Sequence, residues 1–292
     1  LDSLSAYNRD VTDLTGLEHA VNLVNLDLGS NNVADLTPLS GLATLDSLNL
    51  STNLITNLGP LSGLSGLLYL TASTNQIANL TPLAGMSGLL QISLQENQIA
   101  DLTPLAGLTG LEALNLSNNM ITDLTPLAGL TALDVLSVSS NQIVSLAPLS
   151  GLTALTELVI SDNQLATLAG IGTLVNLETL YASSNALTGL DELSGLTALT
   201  ALYLGNNQIA GLPDLSALTA LVYLDLRYNL LASTDALAPL TALNTLDLRG
   251  NQLTGVAGLS GLPVLWTLNL NYNRITDVTP LSGLTALQWL GL

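Results

Sequence analysis

The chain has 292 residues, 48% of them hydrophobic and only 9% charged, with 24 Gly and neither Cys nor Phe. Four Arg and no Lys stand against 22 Asp and Glu, a formal charge of −18 that repels nucleic-acid phosphates and anionic lipid headgroups, so neither is an expected partner. Polar residues interrupt the Leu every few positions, so the run of about 18 apolar residues that spans a bilayer never forms; without Cys, disulfides and thiolate metal sites are excluded as well.

Asn recurs at Asn31, Asn53, Asn75, Asn97, Asn119, Asn141, Asn163, Asn185, Asn207, Asn229, Asn251 and Asn273, a period of 22 with no insertion. Around each Asn the unit reads as in Leu111, Leu114, Leu116, Asn119, Ile121, Leu124, Pro126, Leu127, Gly129 and Leu130. Thirteen such repeats fill residues 1–286, and a partial repeat occupies 287–292. Within a repeat, the alternation at Leu114 and Leu116 predicts a short strand with one buried face. Leu spaced three or four apart around Pro then predicts a single 3₁₀ turn or extended segment, too short for an α-helix. Gly at the nineteenth position is expected to let the chain turn back. Stacked units give an α/β repeat solenoid with a parallel sheet on one face and a continuous Leu/Ile interior. A single domain over 1–292 is expected, with caps or further domains outside it.

Twelve asparagines in register with the Leu columns resemble the leucine-rich-repeat family in its 22-residue, internalin-like bacterial form. The resemblance implies a curved rod whose concave sheet binds other macromolecules, and an extracellular or cell-surface place in a prokaryote. Arg9 stands where the first Asn would be. The alternative is a structural surface protein that self-associates through uncapped ends into a filament or layer, since open sheet edges invite pairing.

The Asn ladder reads as structural, because a buried Asn supplies donors and an acceptor where strands end. Asp13, Asp35, Asp101, Asp123 and Asp277, with Asn57 and Asn79 in the same column, read as caps of the following turn. His19, the only histidine, sits beside Glu18 at an expected exposed edge, repeats away from the Ser117, Ser139, Ser161 and Ser183 column. No nucleophile–base pair follows, and an enzyme is not expected.

The third, fifth, seventh and eighth positions of each repeat, with the second near the edge, point away from the Leu core. All nine aromatic residues fall there, Tyr7 and Tyr69 early, then Tyr181, Tyr203, Tyr223, Tyr228, Trp266, Tyr272 and Trp289. Arg227 and Arg249 share that face with Asp225 and Asp247, and Arg274 lies just past an Asn. Aromatic residues and Arg are what binding hot spots use, so Tyr181, Tyr203, Tyr223, Asp225, Arg227, Tyr228, Asp247, Arg249, Trp266 and Tyr272, in repeats 9–13, are the candidate site for a protein or glycan. Sugar stacking on Tyr181 and Tyr203 is one version and capture of a protein loop the other; the Asp/Arg pairs alone would read as an exposed charge network. On the opposite side repeats 8–12 lose their Pro, and Asp191, Glu192, Asp214 and Asp235 gather near it. Four carboxylates suit a calcium ion, although a solvated acidic face is the commoner outcome, and no cofactor is expected.

Overall fold

The computed structural model describes residues 1–292 as two compact units, Leu1–Gln142 and Ile143–Leu292. In the first, β1 (Ser3–Ser5), β2 (Asn25–Asp27), β3 (Ser47–Asn49), β4 (Tyr69–Thr71), β5 (Gln91–Ser93), β6 (Ala113–Asn115) and β7 (Val135–Ser137) pair in parallel in chain order. In the second, β8 (Glu157–Val159), β9 (Thr179–Tyr181), β10 (Ala201–Tyr203), β11 (Tyr223–Asp225), β12 (Thr245–Asp247), β13 (Thr267–Asn269) and β14 (Trp289–Gly291) do the same. Every pairing joins residues 22 apart, as Leu202 to Leu224, so each sequence column becomes a physical column. A one-residue slip would turn the central Leu of each strand out to water, which fixes the register.

The core is that set of columns. Leu111, Leu114, Leu116, Ile121, Leu124, Leu127 and Leu130 of one repeat are each 1% exposed or less. Burying each such side chain stabilises by about 1.5–3 kcal/mol before ordering entropy is subtracted. The segment after each Ile carries 3₁₀ turns such as Thr125–Leu127, with Pro126 in the first turn, as the spacing predicts. Repeats 8 and 10, without the central Pro, form no 3₁₀ turn. In repeat 12 Gly258 takes the Pro position because its neighbour comes close: the Gly258 N–H donates to Thr234 Oγ1 at 3.2 Å, and a Cβ there would collide with the Thr234 carbonyl.

The nineteenth-position glycines differ from expectation. Of Gly41, Gly63, Gly85, Gly107 and Gly129 only Gly85 has positive φ, at 89°, so the turn runs through ordinary backbone at the others. The position that does reverse the chain is the eighth. Asn118, Ser140, Asp162, Ser184 and Asn206 there have φ between 52° and 56°, the left-handed region that small polar residues tolerate. Asn at the ninth position then closes the corner. Asn119 Oδ1 accepts the Ile99 N–H at 2.9 Å, and its Nδ2 donates to the Leu94 and Leu116 carbonyls, both at 3.0 Å. The same set recurs at Asn53, Asn141, Asn207, Asn229 and Asn251, all buried, so the ladder is structural as read from sequence.

Candidate functional site

Three tyrosines of the second unit form a continuous stack on the sheet face. Tyr181 and Tyr203 end β9 and β10 in register, and their rings lie 4.4 Å apart at 13°. Tyr223 begins β11, paired with the small Ala201, and leans diagonally so that its ring centroid is 4.6 Å from that of Tyr203. Tyr203, in the middle, has a ring on either side, while Tyr181 and Tyr223 each have one ring neighbour in the stack. Burial is the first cause holding the Tyr203 phenol above its ordinary pKa, with Tyr181 and Tyr223 adding to it. Burial likewise raises Tyr223, helped by Asp225 and Asp247.

Asp225, at the end of β11, is 2% exposed. Its Oδ1 accepts the Arg227 N–H at 3.0 Å and its Oδ2 the Arg227 Nε–H at 3.2 Å. Burial pushes its carboxyl pKa up, opposed by the Arg227 N–H and charge. The expectation of an exposed charge network is thus corrected here: the carboxylate is inside and only the Arg side chain, 40% exposed, reaches water. Arg227 lies flat because Gly205 is beside it; a Cβ there would stand 3.0 Å from Arg227 Cγ.

The second Asp/Arg pair does not close. Asp247 Oδ1 accepts the Arg249 N–H at 2.9 Å, while Oδ2 faces Asn269 Nδ2 at 3.4 Å. The Arg249 guanidinium instead sits over the Tyr228 ring, Cζ 5.0 Å from its centroid. Tyr228 occupies the left-handed eighth position, φ 53°, and its ring rests against the backbone of Gly250, where any Cβ would collide. Tyr272 takes the same conformation two repeats on, φ 58°, and is 77% exposed. A bulky side chain with positive φ is an outlier that its surroundings must hold. Trp266 and Trp289 are 51% and 47% exposed, set apart from the tyrosine stack.

The structure therefore brings Tyr181, Tyr203, Tyr223, Asp225 and Arg227 into one patch, adds Tyr228, Asp247 and Arg249 beside it, and leaves Trp266 and Tyr272 standing singly. Sequence reasoning missed Gly205, Gly250 and Asn269. The signal was present for the glycines, each a missing side chain next to a large one in the adjoining repeat.

The remaining candidates are structural or solitary. Asp35 Oδ1 accepts the Thr37 N–H at 2.8 Å and hydroxyl at 2.6 Å, and Asp13, Asp101, Asp123 and Asp277 cap in the same way. The Thr hydroxyl, then the N–H, holds each of these carboxyls below its ordinary pKa. In the acidic group, Asp214 caps Ser216 at 2.9 Å, Asp191 and Glu192 open a 3₁₀ turn, and Asp235 opens another. No three acidic or His side chains gather as a metal site needs. His19 lies 3.7 Å from Glu18 with an 85% exposed side chain, the solvent-edge place expected of it. No helix is long and apolar enough to cross a membrane.

Residues 88–129, 131–172, 175–217, 198–241 and 241–283 match the family Leucine Rich repeats (2 copies). No curated protein matches the sequence significantly. Among solved structures, an internalin (inlF) from Listeria monocytogenes is 33% identical over all of this chain and 87% of its own, with a TM-score of 0.96. A leucine-rich-repeat protein of Leptospira interrogans is 25% identical over 96% of this chain and 81% of its own, TM-score 0.81. The functional domain of InlJ from Listeria monocytogenes is 28% identical over 98% of this chain and 66% of its own, TM-score 0.78. With its parallel strands in 22-residue register, its Asn ladder and these likenesses, the chain belongs to the leucine-rich-repeat proteins of the bacterial internalin type.

Proposed function

We propose that this protein is a non-catalytic recognition module that binds a protein partner through the sheet face of repeats 9–13. The observation that carries the reading is the stack Tyr181–Tyr203–Tyr223, with the anchored Asp225–Arg227 pair at its end. None of these rings is needed by the Leu core, and rigid aromatic side chains bind with little loss of rotamer freedom. Their mutual stacking favours a protein over a glycan, because a pyranose packs on a ring face while protein backbone and side chains can use edges and hydroxyls. Likeness to an internalin supports protein binding as the class of work, and supports a place at or outside a bacterial cell surface. His19, the only imidazole, has no nucleophile beside it, which supports a role without catalysis. The Asp191, Glu192, Asp214 and Asp235 carboxylates are read as solvated, and no cofactor enters the mechanism.

The mechanism is presentation of a preformed surface, in which affinity comes from burying the tyrosine edges and from hydrogen bonds to phenol hydroxyls. The test is the fourfold variant Y181A/Y203A/Y223A/R227A, compared with wild type for capture of protein partners from cell-surface protein extracts. Partners lost by the variant, with its circular dichroism and melting unchanged, support the reading; undiminished capture by a folded variant overturns it.

A further inference from the structure

Repeats 11 and 12 carry the same two residues at the same two positions, Asp225 with Arg227 and Asp247 with Arg249, yet their side chains end differently. In both, the Asp Oδ1 holds the Arg backbone N–H, at 3.0 and 2.9 Å. In the first, Oδ2 also takes the Arg Nε–H at 3.2 Å, so charge is neutralised within the repeat. In the second, Asp247 Oδ2 turns toward Asn269 and Arg249 is drawn over Tyr228. The Arg249 Nε–H is left buried without an acceptor, and no carboxylate lies within ion-pair distance of its guanidinium. A ring face attracts a cation, but it accepts none of the in-plane N–H bonds that a guanidinium offers. Arg249 acts on Asp225 across the sheet face without pairing to it, and in a chain with 22 acidic side chains and four Arg a half-buried guanidinium that makes no ion pair is a docking point for a counter-charge.

We propose that Arg249, clamped by Tyr228 over Gly250, is the anchor for an Asp or Glu side chain of the protein partner. This rests on the proposed sheet-face binding and specifies its chemistry. The geometry favours a single carboxylate. A guanidinium fork matches a carboxylate oxygen pair, and the neighbouring Arg227 is committed to Asp225, so the site offers one unpaired cation and not the two that a phosphate dianion prefers. The chain's charge of −18 disfavours the dianion further. Tyr228 is the positioning residue. Its ring stands beside the guanidinium in place of water, Cζ 5.0 Å from the centroid, and its left-handed backbone conformation, φ 53°, is the local strain that this placement costs.

The four Arg and absent Lys make the test direct, because the nitrogen–proton spectrum of the intact chain has four side-chain Nε–Hε resonances. Arg249→Lys assigns the one of interest. Sodium acetate is titrated at constant ionic strength made up with sodium chloride, with sodium phosphate as a parallel arm. The expected result is a saturable shift of the Arg249 resonance with acetate, no comparable shift at Arg9, Arg227 or Arg274, and its loss in Tyr228→Ala. An unmoved Arg249 resonance overturns the proposal, as does an equal shift at all four. Saturation by phosphate at tenfold lower concentration than acetate overturns the carboxylate assignment in favour of a phosphorylated partner. Because no partner protein is used, failure here leaves the tyrosine-stack capture test standing, and failure of that test leaves the acetate response interpretable.

Discussion

Replacing Asn119 by Ala deletes a donor and an acceptor from the middle of the ladder, and the structure says which groups suffer. Asn119 Nδ2 donates to the Leu94, Leu116 and Ser117 carbonyls at 3.0, 3.0 and 3.2 Å, and Oδ1 accepts the Ile99 N–H at 2.9 Å. The carbonyls are doubly served, since Leu94 keeps the Asn97 amide and Leu116 keeps that of Asn141. Ile99, fully buried, loses its one acceptor. A buried orphan N–H costs about 1–3 kcal/mol and each further hydrogen bond about 1 kcal/mol net, so the expected destabilisation is about 2–4 kcal/mol. Urea unfolding followed by circular dichroism gives the loss, and hydrogen exchange at the Ile99 amide reports the orphan itself. Asn119→Asp separates the two halves of the argument. It keeps the acceptor for Ile99 but faces the three carbonyls of Leu94, Leu116 and Ser117 with a carboxylate, so its cost is expected to match that of Ala at neutral pH and to shrink on acidification. A loss under about 0.5 kcal/mol in Asn119→Ala, with Ile99 still protected, refutes the reasoning.

Tyr272→Asn is expected to stabilise by about 0.5–1 kcal/mol, because Asn tolerates the left-handed backbone that an exposed Tyr strains to adopt; a lower urea midpoint contradicts this. Gly250→Ala displaces the Tyr228 ring and is expected to cost about 1–2 kcal/mol and disperse the Arg249 Nε–Hε resonance. Gly129→Ala, with open space at its Cβ and ordinary φ, is expected to be neutral or to stabilise by up to about 1 kcal/mol; equal losses in the two variants refute the assignment. The capping carboxyls Asp13, Asp35, Asp101, Asp123, Asp214 and Asp277 are held below the ordinary 3.8 in the fold. Their stabilisation is complete above that value and disappears as pH falls through the lowered native values. Asp225 runs oppositely: its raised pKa makes its ionised form a cost at neutral pH that is relieved as pH falls through that value. The urea midpoint of Asp123→Asn is therefore expected to fall less steeply with acid than that of wild type, and a steeper fall contradicts the capping role.

Fold was legible because one template recurs in a chain with no insertion, and strand, Asn corner and 3₁₀ turn follow from column chemistry. The Asp35 and Asp101 caps were legible for the same reason, as local side-chain-to-backbone bonds. The candidate face was legible as a composition, but not as an arrangement. Nothing in the columns distinguishes Asp225–Arg227 from Asp247–Arg249. Their fates diverge through Gly205 beside one and Asn269 and Tyr228 beside the other. Nor does periodicity reveal that Tyr181 and Tyr203 turn their faces to each other, since that depends on ring torsions free to vary at fixed register. The nineteenth-position Gly misled because Gly suggests positive φ, whereas the chain reverses at the eighth position, on Asn, Ser and Asp in many repeats but also on Thr, Glu and Tyr.

The sheet-face reading meets its most direct test in capture from cell-surface protein extracts with three proteins side by side: wild type, the Y181A/Y203A/Y223A/R227A variant, and an opposite-face variant changing Asp191, Glu192, Asp214 and Asp235 to Asn or Gln. The expected result is a partner retained by wild type and the opposite-face variant and lost by the tyrosine variant. Retention by the tyrosine variant, with loss on the opposite face, contradicts it.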